Sequence, residues 1–208
     1  MDNLEILLDK IMKVVEERKT LDIPVGISNR HIHLSQEDIE ILFGKGYELN
    51  KLKDLSQEGQ YAAKEVVTIC GPKSAIEKVR ILGPARKMTQ VEVSQGDCMK
   101  LGIKGIVKMS GDLKDTPGIT IIGPRGTVVL KEGVIISQRH IHMNPVDGEK
   151  FNVVDGEIVA IEVDGPRGGI FNNVVIRVDK SFSLECHLDI EEANGMGINS
   201  NLKIKIKK

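Results

Sequence analysis

Aromatic residues are scarce in this chain of 208 residues: they make up 3% of it, and tryptophan is absent. Apolar residues still account for 40% of the sequence, so the core must be built mainly from isoleucine, valine and leucine. Branched aliphatic side chains favour the pleated, half-buried surface of a β-sheet. The composition therefore predicts a mainly β fold.

An excess of charge of one sign is also missing. The 29 Lys and Arg residues nearly balance the 30 Asp and Glu residues, which argues against nucleic acid as a partner, because proteins that bind it carry a basic surface. In the lysine-rich C-terminus, Lys203, Lys205 and Lys207 alternate with isoleucine. That pattern predicts a strand at the edge of a sheet, where lysine discourages further pairing.

Cysteine and long apolar runs are scarce as well. The three cysteines, Cys70, Cys98 and Cys186, have no C-x-x-C spacing and cannot all pair, which predicts reduced thiols. No run of about 18 apolar residues is present, and the acidic N-terminus lacks the basic start and apolar core of a signal peptide. We therefore expect a cytoplasmic protein that does not bind a membrane.

Histidine is rare, and each of the five copies lies in a motif. Four of them lie in two near-copies of one hexapeptide, SNRHIH at residues 28–33 and SQRHIH at residues 137–142, and the fifth is His187. On a strand, alternate side chains share a face, so each His-x-His pair presents two imidazoles on the same side. A single copy would most simply be a structural pair, but two copies favour metal binding.

The two hexapeptides belong to a longer repeat that begins after Pro24. His31 aligns with His140, and Glu92 aligns with His187. From there the match continues without a gap to residues 103 and 198. The alignment of Glu92 with His187 is independent support for both being ligands.

The repeat predicts two similar small β-barrel domains capped by short helices. The first would comprise residues 23–45 and 65–115, with an insertion at 46–64, and the second would comprise residues 116–208. An active site between the halves is then expected, because domain interfaces favour ligand sites. Apolar residues on one face predict an N-terminal amphipathic helix within residues 1–22, which either docks on its own domain or inserts into a partner protein.

Short helices are expected directly after each His-x-His pair. SQED at residues 35–38 has the pattern of a capping box, which predicts a helix that ends at Gly44. After the second pair, Asn144 and Pro145 predict a similar helix start.

The repeat divides six side chains into two groups of three candidate metal ligands. They are His31, His33 and Glu92 in the first half, and His140, His142 and His187 in the second. Three protein ligands and an open position are typical of catalytic zinc. Imidazole and carboxylate also suit Co, Ni and Fe, so the identity of the metal stays open.

Three arginines lie near these ligands. Arg86 precedes Glu92 by six residues and either binds phosphate or carboxylate through two hydrogen bonds or is a solvated charge at a strand end. Arg30 and Arg139 each precede a His-x-His pair on the opposite face of the strand. We expect them to orient the motif rather than to touch a substrate.

Four segments resemble the zinc-dependent phosphate propanoyltransferases of bacterial propanediol utilisation. They are residues 25–34, residues 82–86 with 89–94, residues 137–142 and residues 187–189. The resemblance runs in order from about residue 23 to the end of the chain. It implies a phosphotransacylase that interconverts acyl-CoA plus phosphate with acyl phosphate plus coenzyme A, on a fold of two β-barrels.

The same resemblance implies roles for particular residues and two zinc ions per chain. His31, His33 and Glu92 would share the first zinc with the sulfur of coenzyme A, and His140, His142 and His187 would share the second with water or phosphate. Arg86 would bind phosphate. The residues implied to contact coenzyme A are Ser28, Lys53, Arg80, Leu82, His187 and Asn194.

We expect a homo-oligomer, either free in the cytoplasm or inside a bacterial microcompartment, with residues 1–20 as the candidate shell contact. A dizinc hydrolase of a phosphate or acyl ester remains an alternative, because the same ligands could activate water. A non-catalytic metal-binding protein is the other alternative.

Overall fold

The computed structural model describes residues 6–8, 12, 21–199 and 201–207. Most of the predicted N-terminal helix, and with it most of the candidate shell contact at residues 1–20, lies outside the described residues. No helix in the described part of the chain is both long enough and apolar enough to cross a membrane.

The fold is mainly β, as the composition predicts. The strands, in chain order, are β1 (Ile23–Ser28), β2 (His31–His33), β3 (Lys51–Asp54), β4 (Tyr61–Cys70), β5 (Ala75–Gly83), β6 (Gln90–Glu92), β7 (Val107–Lys108), β8 (Ile119–Ile122), β9 (Thr127–Leu130), β10 (Val134–Ser137), β11 (His140–Met143), β12 (Ile158–Val163), β13 (Gly169–Val178), β14 (Glu185–Asp189) and β15 (Lys203–Lys207). The described helices are α1 (Gln36–Phe43), α2 (Gln95–Leu101), α3 (Pro145–Phe151) and α4 (Ile190–Met196).

Two compact units share the chain. The barrel unit comprises Met1–Gly26, His140–His187 and Ala193–Lys208, and the sheet unit comprises Ile27–Arg139 and Leu188–Glu192. The predicted halves, with their boundary near residue 115, have different bounds. The difference arises because β10, which precedes the second His-x-His pair, lies in the sheet unit, while most of β1 lies in the barrel unit.

The barrel unit contains a closed barrel with the strand order β1-β14-β11-β13-β12-β15. The predicted strand at the C-terminus is present, but its prediction as an edge strand is wrong. β15 pairs with β1 through Ile204 and with β12 through Ile206, and a closed barrel has no edge. Ile141 is in register with Ile176 on one side and Cys186 on the other, and all three are fully buried.

The sheet unit contains a nine-stranded sheet in the order β7-β10-β6-β2-β5-β4-β8-β9, with β3 beside β4. Of the two predicted barrels, one is therefore closed within the described ranges. Ile32 is in register with Ile81 of β5 and with Val91 of β6, and all three are fully buried. Such central rows of aliphatic side chains form the core in place of aromatic residues.

Short helices follow both His-x-His strands, as predicted. In α1, the Ser35 side chain accepts a hydrogen bond from the Asp38 backbone N–H, and the helix ends at Gly44, whose φ of 114° suits glycine. In α3, the Asn144 side chain accepts from the Asp147 backbone N–H, and Pro145 is the first helical residue.

Candidate metal centres

Strand register gives each His-x-His pair its third ligand. β2 and β6 run antiparallel and pair His31 with Glu92. β11 and β14 run antiparallel and pair His140 with His187. Directly opposed residues share a face of the sheet, so each third ligand lies on the same face as its two histidines. The alignment of Glu92 with His187 in the sequence is thus matched by equivalent positions in the two units.

The first triplet, His31, His33 and Glu92, is compact and almost fully buried. Its candidate ligand atoms all lie within 4.8 Å of one another. The Nε2 atom of His31 is 3.5 Å from Glu92 Oε2, and that of His33 is 3.8 Å from Glu92 Oε1. His31 Nδ1 lies 2.8 Å from the Asn29 carbonyl oxygen. Donation to that carbonyl leaves the lone pair on Nε2, the nitrogen that faces Glu92.

The surroundings of this triplet place two of its three groups, Glu92 and His33, in the protonation states that bind a metal. Burial alone would raise the pKa of Glu92, but the adjacent His31, followed by His33 and Arg86, holds that pKa below its ordinary value. Burial is the main cause that lowers the pKa of His33 to about 3. For His31, burial opposes the charged form, but attraction to Glu92 outweighs it and raises the pKa. An ionised carboxylate next to a neutral imidazole is a suitable donor set for a divalent metal.

The second triplet consists of His140, His142 and His187, whose candidate ligand atoms also lie within 4.8 Å of one another. The ring centroids are separated by 4.7 to 4.9 Å. Both ring nitrogens of His142 are buried without a hydrogen-bond partner. Burial, followed by the nearby His140 and His187, lowers the pKa of His142 to about 2, so this ring stays neutral.

A metal ion fits both triplets. A buried polar atom without a partner costs roughly 1–3 kcal/mol, and a metal bound to His142 would remove that cost. The donor sets, two histidines with a glutamate and three histidines, are both found in zinc enzymes whose fourth position is open. Each triplet could therefore hold one zinc ion.

Three side chains next to the ligands were missed by the sequence analysis. Gln90 Nε2 donates to Glu92 Oε1 at 2.6 Å, and the Ser110 hydroxyl lies 3.3 Å from the same oxygen. Glu185 Oε2 lies 2.6 Å from His187 Nε2. A signal was available for two of them, because Gln90 and Glu185 each precede a ligand by two residues and so lie on the ligand's face of the strand.

Arg86 lies beside the first triplet, as its closeness to Glu92 in the sequence suggests. Its backbone N–H donates to the Leu34 carbonyl at 2.9 Å, and its Nη1 donates to Ser110 Oγ at 3.1 Å. A pocket of about 250 Å³ is lined by Arg86, His33, Gly83, Pro84 and residues 58–60. This pocket places a guanidinium group next to a candidate metal ligand, and the carboxylate of Glu58 also lines it.

Three of the residues that the resemblance implies for coenzyme A lie next to the first triplet. Ser28 lines a small pocket with His31 and Glu92. Arg80 is opposite His31 on β5, and its Nη1 donates to the Ala63 and Lys64 carbonyls at 3.0 and 2.8 Å. The backbone of Leu82 interacts with the His33 imidazole and favours its charged form.

The remaining implied contacts are distributed more widely. Lys53 is exposed on β3 and Asn194 is exposed on α4, whereas His187 belongs to the second triplet. Ser28, Arg80 and Leu82 therefore lie around the first triplet, whereas Lys53 and Asn194 lie on the surface.

The chain is a mainly β protein with two candidate metal centres. Each centre has three ligands and an open position, and one of them lies beside an arginine. The family model for phosphate propanoyltransferase matches residues 24–199. A phosphate propanoyltransferase of Thermotoga maritima is 55% identical, over 94% of this chain and 96% of the relative. Proteins of the same name from Clostridioides difficile and Salmonella typhimurium are 51% and 47% identical, over 99% and 94% of this chain and 99% and 93% of the relatives.

The chain therefore belongs to the phosphate propanoyltransferase family, and it is a transferase.

Proposed function

We propose that the chain interconverts acyl-CoA plus phosphate with acyl phosphate plus coenzyme A, and that one zinc ion is bound at each triplet. The observation that carries the proposal is the matched register of the two ligand sets, with His31 opposite Glu92 and His140 opposite His187. Two histidines and a third ligand recur at equivalent strand positions, and the first set lies beside Arg86.

In the direction from acyl-CoA, phosphate is the nucleophile and the thiol of coenzyme A is the leaving group. A phosphate oxygen forms a bond to the acyl carbon, and the bond from that carbon to sulfur breaks. The proton that hydrogen phosphate loses is taken up by the departing sulfur, which leaves as the thiol of coenzyme A. Arg86 binds the phosphate and stabilises its negative charge, since a guanidinium can donate two parallel hydrogen bonds to it. Ser110, which accepts from Arg86, holds the guanidinium in position.

The six ligands would hold one metal ion at each triplet, and the strands fix the positions of these side chains. Bound zinc would keep a thiol deprotonated near neutral pH and stabilise negative charge on phosphate oxygens.

Coenzyme A is the proposed partner of Ser28, Lys53, Arg80, Leu82, His187 and Asn194. Ser28, Arg80 and Leu82 lie around the first triplet, which supports a thiol site there. The positive charge of Lys53 on the exposed β3 suits the phosphates of the cofactor.

A coupled assay tests the function. Purified protein is given propanoyl-CoA with and without inorganic phosphate, and both free thiol and acyl phosphate are measured. We expect thiol release only with phosphate and in equal amount to acyl phosphate. Thiol release without phosphate would indicate a hydrolase instead, and no release in either case would indicate a metal-binding protein without this activity. Repeating the assay with acetyl-CoA gives the chain-length preference.

A homo-oligomeric assembly and a location in a microcompartment are also proposed. A homo-oligomer would elute above the mass of a 22.9 kDa monomer in size-exclusion chromatography with light scattering. Deletion of residues 1–20, followed by co-purification with shells, tests whether they direct the enzyme to a microcompartment.

A further inference from the structure

The third ligand of each triplet has a hydrogen-bonding partner two residues earlier on its own strand. On β6 this pair is Gln90 and Glu92, and on β14 it is Glu185 and His187; both contacts measure 2.6 Å. The partners occupy equivalent positions, because Gln90 is opposite His33 and Glu185 is opposite His142. The repeat therefore preserves the position of a partner as well as that of a ligand.

Gln90 is fixed so that only its amide nitrogen can reach Glu92. Its side-chain oxygen accepts from the Gly111 backbone N–H at 2.8 Å, and its nitrogen also donates to Ser110 Oγ at 2.9 Å. The residue is 2% exposed. With Oε1 of Glu92 occupied by Gln90, the other oxygen, Oε2, is the one left beside Nε2 of His31.

Gly26 on the neighbouring strand β1 leaves the space in which the Glu185 carboxylate contacts His187. A Cβ atom at Gly26 would lie 2.8 Å from the carboxyl carbon of Glu185 and 3.0 Å from both its oxygens. Only glycine leaves room for the carboxylate in this position. A carboxylate accepts a hydrogen bond from the imidazole N–H, so the contact selects the tautomer of His187 whose other nitrogen carries the lone pair.

The partner in each unit is matched to its ligand. The carboxylate ligand Glu92 has a neutral amide donor, which orients it without competing for the metal. The imidazole ligand His187 has a carboxylate acceptor, which orients the ring. Each triplet is thus associated with one carboxylate, Glu92 as a ligand and Glu185 as the partner of a ligand.

We propose that Gln90 and Glu185 are positioning residues, each of which sets the metal affinity of its own triplet through the third ligand. This inference rests on the proposed binding of one zinc at each triplet. Residues that act through a metal ligand typically change affinity by about 10 to 100-fold when replaced. We expect a loss of that size at one site and no change at the other.

The test uses the variants Gln90→Leu and Glu185→Gln in the full-length protein. Zinc per chain is measured by elemental analysis, the affinity of each site by competition with a chromophoric chelator, and the ligand geometry by the visible absorption of the Co(II)-loaded protein. Gln36→Leu and Glu162→Gln are the matched controls, because both side chains are exposed and belong to the same units as the residues they control for. The controls should keep wild-type affinity and spectrum.

Two further variants connect each effect to its site. In a His140→Ala background, which removes a ligand of the second site, Gln90→Leu should still weaken metal binding whereas Glu185→Gln should have no further effect. Gly26→Ala provides an independent displacement of the Glu185 carboxylate, with both Glu185 and His187 left intact. It should lower the affinity of the second site even if Glu185→Gln itself proves unstable.

The outcomes separate this inference from the proposed function. If the wild-type protein binds two zinc ions and all three variants match it in affinity and in Co(II) spectrum, the positioning roles are wrong and the zinc sites stand. If the wild-type protein binds no zinc, the proposed zinc sites fall together with this inference.

Discussion

Arg30 forms an ion pair with Asp97 immediately before the first His-x-His pair. Its Nε donates to both carboxylate oxygens of Asp97, at 3.0 and 2.9 Å, and its Nη2 lies 2.8 Å from Oδ1. Asp97 belongs to the first turn of α2, where it also accepts from the Ser94 backbone N–H. An arginine that orients the motif should make such a contact. Arg139 repeats the arrangement, with its Nε 2.7 Å from Glu192.

Removal of this ion pair should destabilise the sheet unit. We expect Arg30→Ala to lower the free energy of unfolding by about 1–2 kcal/mol, because it leaves the buried Asp97 carboxylate with fewer partners, while the Arg30 side chain is itself 37% exposed. Asp97→Ala should cost about 1 kcal/mol more, since it also removes the capping box of α2.

Urea unfolding of both single variants and of the double variant measures the coupling between the two side chains. Arg125→Ala, an exposed arginine of the same unit, is the matched control and should unfold like the wild type. Additive effects of the two single changes would show that the pair contributes nothing as a pair.

Each triplet should account for one zinc ion. Glu92→Ala and His140→Ala should each reduce bound zinc from about two ions to about one per chain, because a three-ligand site that loses one ligand binds weakly. Each should lower kcat/KM by at least about 10³-fold, since a metal contributes several kcal/mol of charge stabilisation. Glu77→Ala, which removes an exposed glutamate from β5 of the same sheet, should change neither quantity. Near-normal activity in Glu92→Ala or His140→Ala would contradict the site.

Metal-free protein should lose stability as the pH falls below about 6.5. In the folded protein the pKa of His33 is about 3 and that of His142 about 2, whereas an unfolded imidazole has a pKa of about 6.5. Between these values the unfolded chain binds more protons, so each group lowers the free energy of unfolding by up to about 1.4 kcal/mol per pH unit of acidification. The raised pKa of His31 acts only above about 6.5, where the folded chain binds more protons than the unfolded chain, so it does not offset the loss at lower pH.

Urea unfolding of chelator-treated protein between about pH 8 and about pH 5 measures this dependence. The zinc-loaded protein, compared at each pH, should be more stable, because a metal that binds only the folded state stabilises it. Constant stability of the metal-free protein across this range would contradict the low pKa values.

The grouping of the six side chains into two triplets could be predicted from the sequence, because histidine is rare and because the repeat aligns Glu92 with His187. Alternation along a strand places the two histidines of each pair on one face without knowledge of the sheet. The short helices after both His-x-His pairs could also be predicted, since each begins at a residue whose side chain caps it.

Long-range pairing could not be predicted in the same way. β15 is closed on one side by β1, whose residues lie at the other end of the chain, so its pattern of alternating lysines suggested an edge. Gln90, Ser110 and Glu185 are of residue types common on protein surfaces. Alternation along the strand could have indicated Gln90 and Glu185, but only the fold brings Ser110 to Glu92. For the same reason the sequence did not reveal that Gly26 makes room for Glu185.

Arg86 should determine the response to phosphate. We expect Arg86→Ala to raise the KM for phosphate and to lower kcat by about 100-fold, the usual effect of removing one donor from a developing charge. Arg86→Lys should recover part of kcat, because the charge remains while the two-pronged geometry is lost. Zinc content should stay at the wild-type value in both variants, since Arg86 is not a ligand.

The control for Arg86 is its neighbour Lys87, which is exposed. Lys87→Ala removes the same charge one position further along the chain and should leave the KM for phosphate unchanged. Initial rates at varied phosphate and fixed acyl-CoA, followed by the reverse arrangement, separate the two substrates. An equal rise in KM for phosphate and for acyl-CoA in Arg86→Ala would indicate general damage to the site and would contradict a specific role in phosphate binding.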